Sequence, residues 1–238
     1  MFKRIRKIIK VSFIYELLKN FFGDYKKSYA DSFGEDLFVE YFFRNLDIGF
    51  YVDIGCNLPK SRSLTYLLYK KKWRGIKIDI SERSIDLNKI IRRRDINLNL
   101  SVGKFEKTVN SFIFYNNCSM NTVDKDFKKF TEKSVNKKPI IKKIEQKKLN
   151  TILHTYNIKK INFLKIDVEG YEFEVLQGFN LKKFEPDLVS IEIHDEACPP
   201  IKNRVYNYFI KNNYQLVSIY GYTYFFSKKE KKNIHFNY

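Results

Sequence analysis

Apolar and polar positions change their period along the chain. Phe2, Ile5, Ile9, Phe13 and Leu17 recur at spacings of three and four, which predicts an amphipathic helix near the N-terminus. The stretch 1–23 carries Lys3, Arg4, Arg6, Lys7 and Lys10 ahead of its apolar part, and Glu16 and Lys19 interrupt it. It is too short and too charged to span a bilayer and has no small-residue cleavage site, so neither a membrane span nor a signal peptide is expected. Two roles stay open for it: lying on a membrane surface, or docking on the domain or in a homo-oligomer interface.

After Gly49 the period alternates between strand and helix. Apolar runs at 50–54, 76–80, 96–102, 111–115, 162–168 and 187–194 read as strands, and residues 64–72, 149–156, 171–177 and 205–211 as helices. Ser81 is placed to cap a further helix running to Ile91, with Ser84 as an alternative cap, and Gly178 ends the helix begun at Tyr171. Two runs, 214–219 and 222–227, flank Tyr220-Gly221 and predict a terminal antiparallel hairpin. Residues 116–148 are Lys- and Asn-rich without clear period and read as a long basic insertion or active-site loop. The expected organisation is an N-terminal extension over 1–34, one domain over 35–230 and a tail over 231–238. The alternation implies an α/β domain with a doubly wound, mostly parallel sheet.

Open parallel sheets bind ligands beyond the carboxyl ends of their strands. Here those ends carry Asp53, Asp79, Asp167 with Glu169, and Glu192 with His194. Asp53-Ile54-Gly55-Cys56-Asn57 supplies a glycine that lets the backbone turn close to a ligand. Asp79 follows 26 residues after Asp53, where a carboxylate can accept both hydroxyls of a ribose. The G-x-G-x-x-G turn that a pyrophosphate requires is absent. A nucleoside without pyrophosphate suits such a site, and S-adenosylmethionine is one.

Composition narrows the picture. With 45 Lys plus Arg against 27 Asp plus Glu, the 238-residue chain has a formal charge of +18, which first points to a polyanion. The crowding of Lys, Asn, Ile, Phe and Tyr is equally what AT-rich coding would produce. The Arg92-Arg93-Arg94 run and the Lys-rich stretch 137–148 read as solvated faces. No motif interleaves aromatic with basic residues in the manner of an RNA-binding sheet, so a nucleic-acid partner is not expected. Three Cys without a C-x-x-C pair and three His without H-E-x-x-H argue against a disulfide framework or a zincin and favour the cytoplasm.

Five blocks then carry a resemblance: YVDIGCN (51–57), WRGIKIDIS (73–81), LNLSVG (98–103), FLKIDVEGYEFEVLQGF (163–179) and VSIEIH (189–194). In this order and spacing they resemble the FkbM family of S-adenosylmethionine-dependent methyltransferases, across roughly residues 35–227. The resemblance implies a seven-stranded class I, Rossmann-like methyltransferase fold with a reversed last strand. It implies that Asp53, Gly55 and Asn57 line the methionine end of the cofactor, that Asp79 holds the ribose and that Ser101 and Val102 lie near the adenine. Asp167 would stand beside the transferred methyl. Leu58 replaces a frequent family His, which puts any substrate contact of that His in doubt.

Methyl transfer to a hydroxyl needs alignment and a sink for the hydroxyl proton. Asp167, Glu169, Glu192 and His194 are the candidates for that chemistry. Asp167, Glu192 and His194 could equally hold a hard divalent cation such as Mg or Mn. Glu172 and Glu174 read as helix-surface charges. The leading expectation is O-methylation of a sugar or glycan in surface-polysaccharide biosynthesis, in the cytoplasm or peripherally at the inner face of the membrane. The rivals are an RNA methyltransferase and a catalytically inactive nucleotide- or glycan-binding module.

Overall fold

The computed structural model describes residues 27–30, 33–114, 119–195 and 197–228. The amphipathic N-terminal stretch and the tail over 231–238 lie outside the described residues. Ten strands are described: β1 Phe50–Ile54, β2 Arg74–Asp79, β3 Ile96–Asn99, β4 Ser101–Val102, β5 Lys107–Ile113, β6 Ile140–Lys147, β7 Phe163–Ile166, β8 Leu188–Glu192, β9 Tyr214–Tyr220 and β10 Thr223–Lys228. The helices are α1 Glu35–Phe42, α2 Tyr66–Lys70, α3 Glu82–Ile91, α4 Lys125–Val135, α5 Leu149–Thr155, α6 Glu172–Gln177, α7 Leu181–Phe184 and α8 Arg204–Lys211.

Seven strands form one sheet in the order β3-β2-β1-β7-β8-β10-β9. The first five run parallel, and β10 lies antiparallel between β8 and β9. The order reverses between β1 and β7, which opens a crevice at their carboxyl ends. The strand period of two separates two cores. Val52, Ile54, Ile76, Ile78, Leu164 and Ile166 face a large aliphatic layer with α5, α6 and α8. Tyr51, Trp73, Phe163, Leu188 and Phe225 face an aromatic layer with α1 and α2.

Two expectations change in the structure. The apolar run 96–102 is not one strand. Ile96–Asn99 stays in the large sheet, while Ser101–Val102 pairs with Gln146–Lys147 in a second, three-stranded sheet of order β4-β6-β5. The stretch 116–148 is correspondingly not an irregular loop but carries α4 and β6. Of the apolar positions of β6, Ile144 is buried while Ile140 and Ile141 are exposed, so its pairing with β5 leaves little periodic signal. Helix α4 begins at Asp124, whose carboxylate accepts the amides of Asp126 and Phe127. Ser81, not Ser84, caps α3, its Oγ accepting the Ser84 amide.

The Arg run also divides. Arg92 is fully buried, not solvated. Its guanidinium donates to Asp95 (3.0 Å), to the Tyr51 hydroxyl (2.6 Å), to the Pro59 carbonyl (2.9 Å) and to Thr65 Oγ1 (3.2 Å). Arg94 stays at the surface over the Tyr69 ring. Burial raises the Asp95 carboxyl above its ordinary range, opposed by Arg92. Removing only the Arg would strand that carboxylate, which typically costs about 3–5 kcal/mol. Arg92→Met is therefore expected to lose stability of that order in a urea titration. A loss below about 1 kcal/mol would contradict a buried, ionised pair.

Candidate active site

The site grows from three consecutive turns at the crevice. After β1, Gly55 adopts φ 73° and Asn57 φ 44°. A Cβ at Gly55 would collide with the backbone carbonyl oxygen of Asp167, so the β1 turn and the β7 end lie in direct contact and only glycine fits. The Asn57 amide donates to Asp79 Oδ2 (2.8 Å), and the Ser81 amide to Asp79 Oδ1 (2.7 Å). One carboxylate thus joins the ends of β1 and β2. Asn88 on α3 donates to the Asn57 carbonyl (2.8 Å). Four residues further on, the same helix presents Arg92 to the Pro59 carbonyl, so one helical face holds the loop after β1 from below.

These turns border an open cleft at the carboxyl ends of the strands. Gly55, Asn57, Asp79, Ser101, Val102 and Asp167 all line it. The splitting of the 96–102 run is what brings Ser101 and Val102 to its wall. The segment between β5 and α4 contributes Ser119, Asn121, Thr122 and Val123, and Tyr171 closes another side. None of these five was singled out from the sequence; the place of the first four depends on β5, through the pairing of Thr122 with Phe112. Thr122 exchanges backbone hydrogen bonds with Phe112, and its hydroxyl donates to the Glu169 carbonyl (2.8 Å).

Asp53 takes a different place. It lies beneath the cleft, 1% exposed, and is not part of its wall. Strand register sets Asp53 beside Lys77 on β2 and Lys165 on β7. Its Oδ2 lies 3.3 Å from Lys77 Nζ and accepts the Thr65 hydroxyl (2.8 Å), and its Oδ1 lies 3.6 Å from Lys165 Nζ. The carboxylate is therefore held between two buried ammonium groups and the Thr65 hydroxyl. Burial works against its charge, but Lys77, Lys165 and the Thr65 hydroxyl outweigh burial and hold the carboxyl below its ordinary value.

Asp167 sits at the cleft with Lys165 Nζ at 2.9 Å. Burial and then the nearby Glu192 push its carboxyl up to about 7, against the pull of Lys165. Glu169, with φ 55°, is pushed up to about 10 by burial and by Asp167 and Glu192. Glu172 is buried rather than a surface charge. It accepts the amides of Val168 (3.1 Å) and Gly170 (3.2 Å), and burial raises it to about 6. Glu174 pairs with Arg204 at 3.4 Å. His194 lies 3.2 Å from Glu192, which raises its pKa above the usual imidazole value, and its ring stands between Phe127 and Tyr222.

Among the described residues one group has metal-ligand spacing: Glu169, Glu192 and His194, whose ligand atoms lie within 4.8 Å of one another. This group shares Glu192 and His194 with the set expected from sequence. Asp167 gives its carboxylate to Lys165, and Glu169 stands in its place. Two carboxylates and an imidazole suit a hard or borderline divalent ion.

Lys77 and Lys165 went unnoticed in the sequence, although a signal exists. Lys77-Ile78-Asp79 and Lys165-Ile166-Asp167 repeat the same K-I-D triplet at the ends of two strands. A lysine inside an otherwise apolar strand, two residues before a strand-end Asp, implies a buried partner between the two strands.

The reversed β10 and the cleft at the strand ends define a Rossmann-like methyltransferase fold. The family model described as the methyltransferase FkbM domain matches residues 30–224 of the 238-residue chain. The chain belongs to the FkbM methyltransferase family. Searches of the curated proteins and of the solved structures give no significant match. No described helix is long and apolar enough to cross a membrane.

The Asp53 pairing has a measurable consequence. A carboxyl held below its unfolded value of about 3.9 contributes stability that is present above that pH and lost as pH falls through the lower folded value. Asp53→Asn should destabilise at neutral pH and shrink the stability difference between about pH 7 and about pH 3 relative to the wild type. Urea midpoints at the two pH values check this, and an unchanged difference would mean that the lysines do not hold the carboxylate ionised.

Proposed function

We propose that the protein is an S-adenosylmethionine-dependent O-methyltransferase whose acceptor is a hydroxyl of a sugar or glycan, in surface-polysaccharide biosynthesis. One observation carries the cofactor part. Gly55, Asn57, Asp79, Ser101, Val102 and Asp167 converge on one cleft at the carboxyl ends of β1, β2 and β7. Asp79 keeps lone pairs beyond its two amide partners and suits a ribose diol. Leu100 and Val102 offer an apolar wall beside Ser101, which suits a purine. When bound, the cofactor supplies an electrophilic methyl group.

The chain's own residues supply placement and proton handling. Asp167 and the Glu169–Glu192–His194 group lie at neighbouring strand ends, so an acceptor hydroxyl held there finds a proton sink within the same crevice. The Asp167 carboxyl is raised to about 7, which suits a general base, and Glu192 holds the His194 imidazole above its ordinary value. The alternative use of Glu169, Glu192 and His194 is to hold a divalent ion that acidifies the hydroxyl. The acceptor class rests on the family and on this polar, aromatic-flanked crevice. The free thiols Cys56 and Cys198 are compatible with a cytoplasmic setting.

Calorimetry with S-adenosylmethionine and S-adenosylhomocysteine tests the cofactor, and labelled-methyl transfer into a polysaccharide precursor pool, read by mass spectrometry, tests the acceptor. Asp79→Ala is expected to weaken both cofactor forms by about tenfold or more, the worth of a charge-assisted hydrogen-bond pair. No binding of either form to the wild type would end the methyltransferase reading.

Removing the Glu192 charge lowers the pKa of both Asp167 and His194. Glu192→Gln should therefore move the acid limb of the pH–rate profile to lower pH, by about one unit. An acid limb that stays in place would exclude both residues as the base. In the same assay, loss of turnover with a chelator and its return with Mg or Mn would assign the cluster to a metal.

A further inference from the structure

We infer that Lys165 is a positioning residue that ties the cofactor turn after β1 to the Asp167 carboxylate at the cleft. The inference deepens the methyltransferase reading and rests on it only for its ligand-binding arm. Lys165 is 4% exposed on the central strand β7. Its ammonium donates to the Gly55 carbonyl (2.7 Å) and to Asp167 Oδ2 (2.9 Å) and lies 3.6 Å from Asp53 Oδ1. These partners belong to three different parts of the site: the glycine turn, the cleft wall and the buried row beneath it.

The turn cannot relax independently of β7, because Gly55 already abuts the Asp167 carbonyl. Lys165 adds a second, charged link across the same junction. Lys165 is the side-chain donor to the half-buried Gly55 carbonyl. Asp167 faces Glu192 from β8 and Glu172 from α6, both of which repel its charge. Lys165 supplies the attraction that keeps the Asp167 carboxylate turned to the cleft floor rather than bound up with the Glu169–Glu192–His194 cluster.

Lys77 is the internal control. It is as buried as Lys165 and reaches the same Asp53, at 3.3 Å, yet has no hydrogen bond to the turn or to the cleft. A role confined to stability would make the two lysines equivalent. A positioning role separates them.

The experiment compares Lys165→Met, Lys165→Arg and Lys77→Met with the wild type. Ligand-free amide spectra report the Gly55, Cys56, Asn57 and Asp167 signals, and calorimetry reports S-adenosylhomocysteine affinity per folded molecule. Lys165→Met is expected to displace the four amide signals and to weaken affinity at least about tenfold, because the loosened turn and Asp167 must then be ordered on binding. Lys165→Arg, which keeps charge and donors, should recover part of that loss, and Lys77→Met should change affinity less than about threefold. If Lys165→Met does not fold, the wild type decides: the Lys165 side-chain nitrogen resonance should shift when S-adenosylhomocysteine is added, and that of Lys77 should not. Equal behaviour of the two lysines in affinity or resonance overturns the inference. If the wild type binds no S-adenosylhomocysteine, the cofactor reading fails instead. The ligand-free spectra still judge the positioning: displaced Gly55 and Asp167 signals in Lys165→Met but not in Lys77→Met support it, and unchanged signals overturn it.

Discussion

Buried Lys165, bonded to the Gly55 carbonyl and Asp167 and paired with Asp53, is the constraint around which the site is built. Three charged residues, Lys77, Asp53 and Lys165, occupy lateral positions on β2, β1 and β7, where an ordinary α/β sheet would place aliphatic side chains. Burying ions is costly, and such a row persists only if its partners satisfy one another. Here one carboxylate serves two ammonium groups, so the row carries a net positive charge inside the fold. Lys77 Nζ makes no hydrogen bond, whereas Lys165 Nζ reaches the carboxyl ends of β1 and β7. The Gly55 carbonyl and the Asp167 carboxylate answer that charge. The sheet interior and the cleft are therefore one electrostatic unit.

A second network supports it from the side. Arg92 connects Tyr51, Asp95, Pro59 and Thr65, and Thr65 passes a hydrogen bond on to Asp53. The loop between β1 and α2 is held at both of its ends by α3, through Asn88 and Arg92. This rigidity matters for a methyl-transferring site, because alignment to fractions of an ångström carries much of the rate.

The crevice itself is electrically opposite to the surface. The chain is strongly basic overall, yet Asp167, Glu169, Glu172 and Glu192 crowd the strand ends, and burial with this crowding raises the carboxyls of Asp167, Glu169 and Glu172. Like charges held this close titrate near neutrality or bind a cation. The +18 charge thus describes the outer shell and not the site.

Much was legible from sequence because the relevant signals are local. Strand and helix periods, the Ser81 cap, the Gly178 stop and the acidic strand ends each follow from neighbouring residues, and β1, α3, β8 and the terminal hairpin emerge within a few residues of their expected bounds. Parallel pairing brings strand ends together, so the cleft residues Gly55, Asp79 and Asp167 followed from the alternation alone. What sequence could not supply is lateral register and long-range capture. Only register sets Asp53 between two lysines. Only β6 pulls Ser101 and Val102 off the large sheet, and only the packed interior distinguishes buried Arg92 from its exposed neighbours. Periodicity encodes which face a residue takes, whereas the partner it meets there is decided by strands remote in the chain, and for charged residues the partner determines the role.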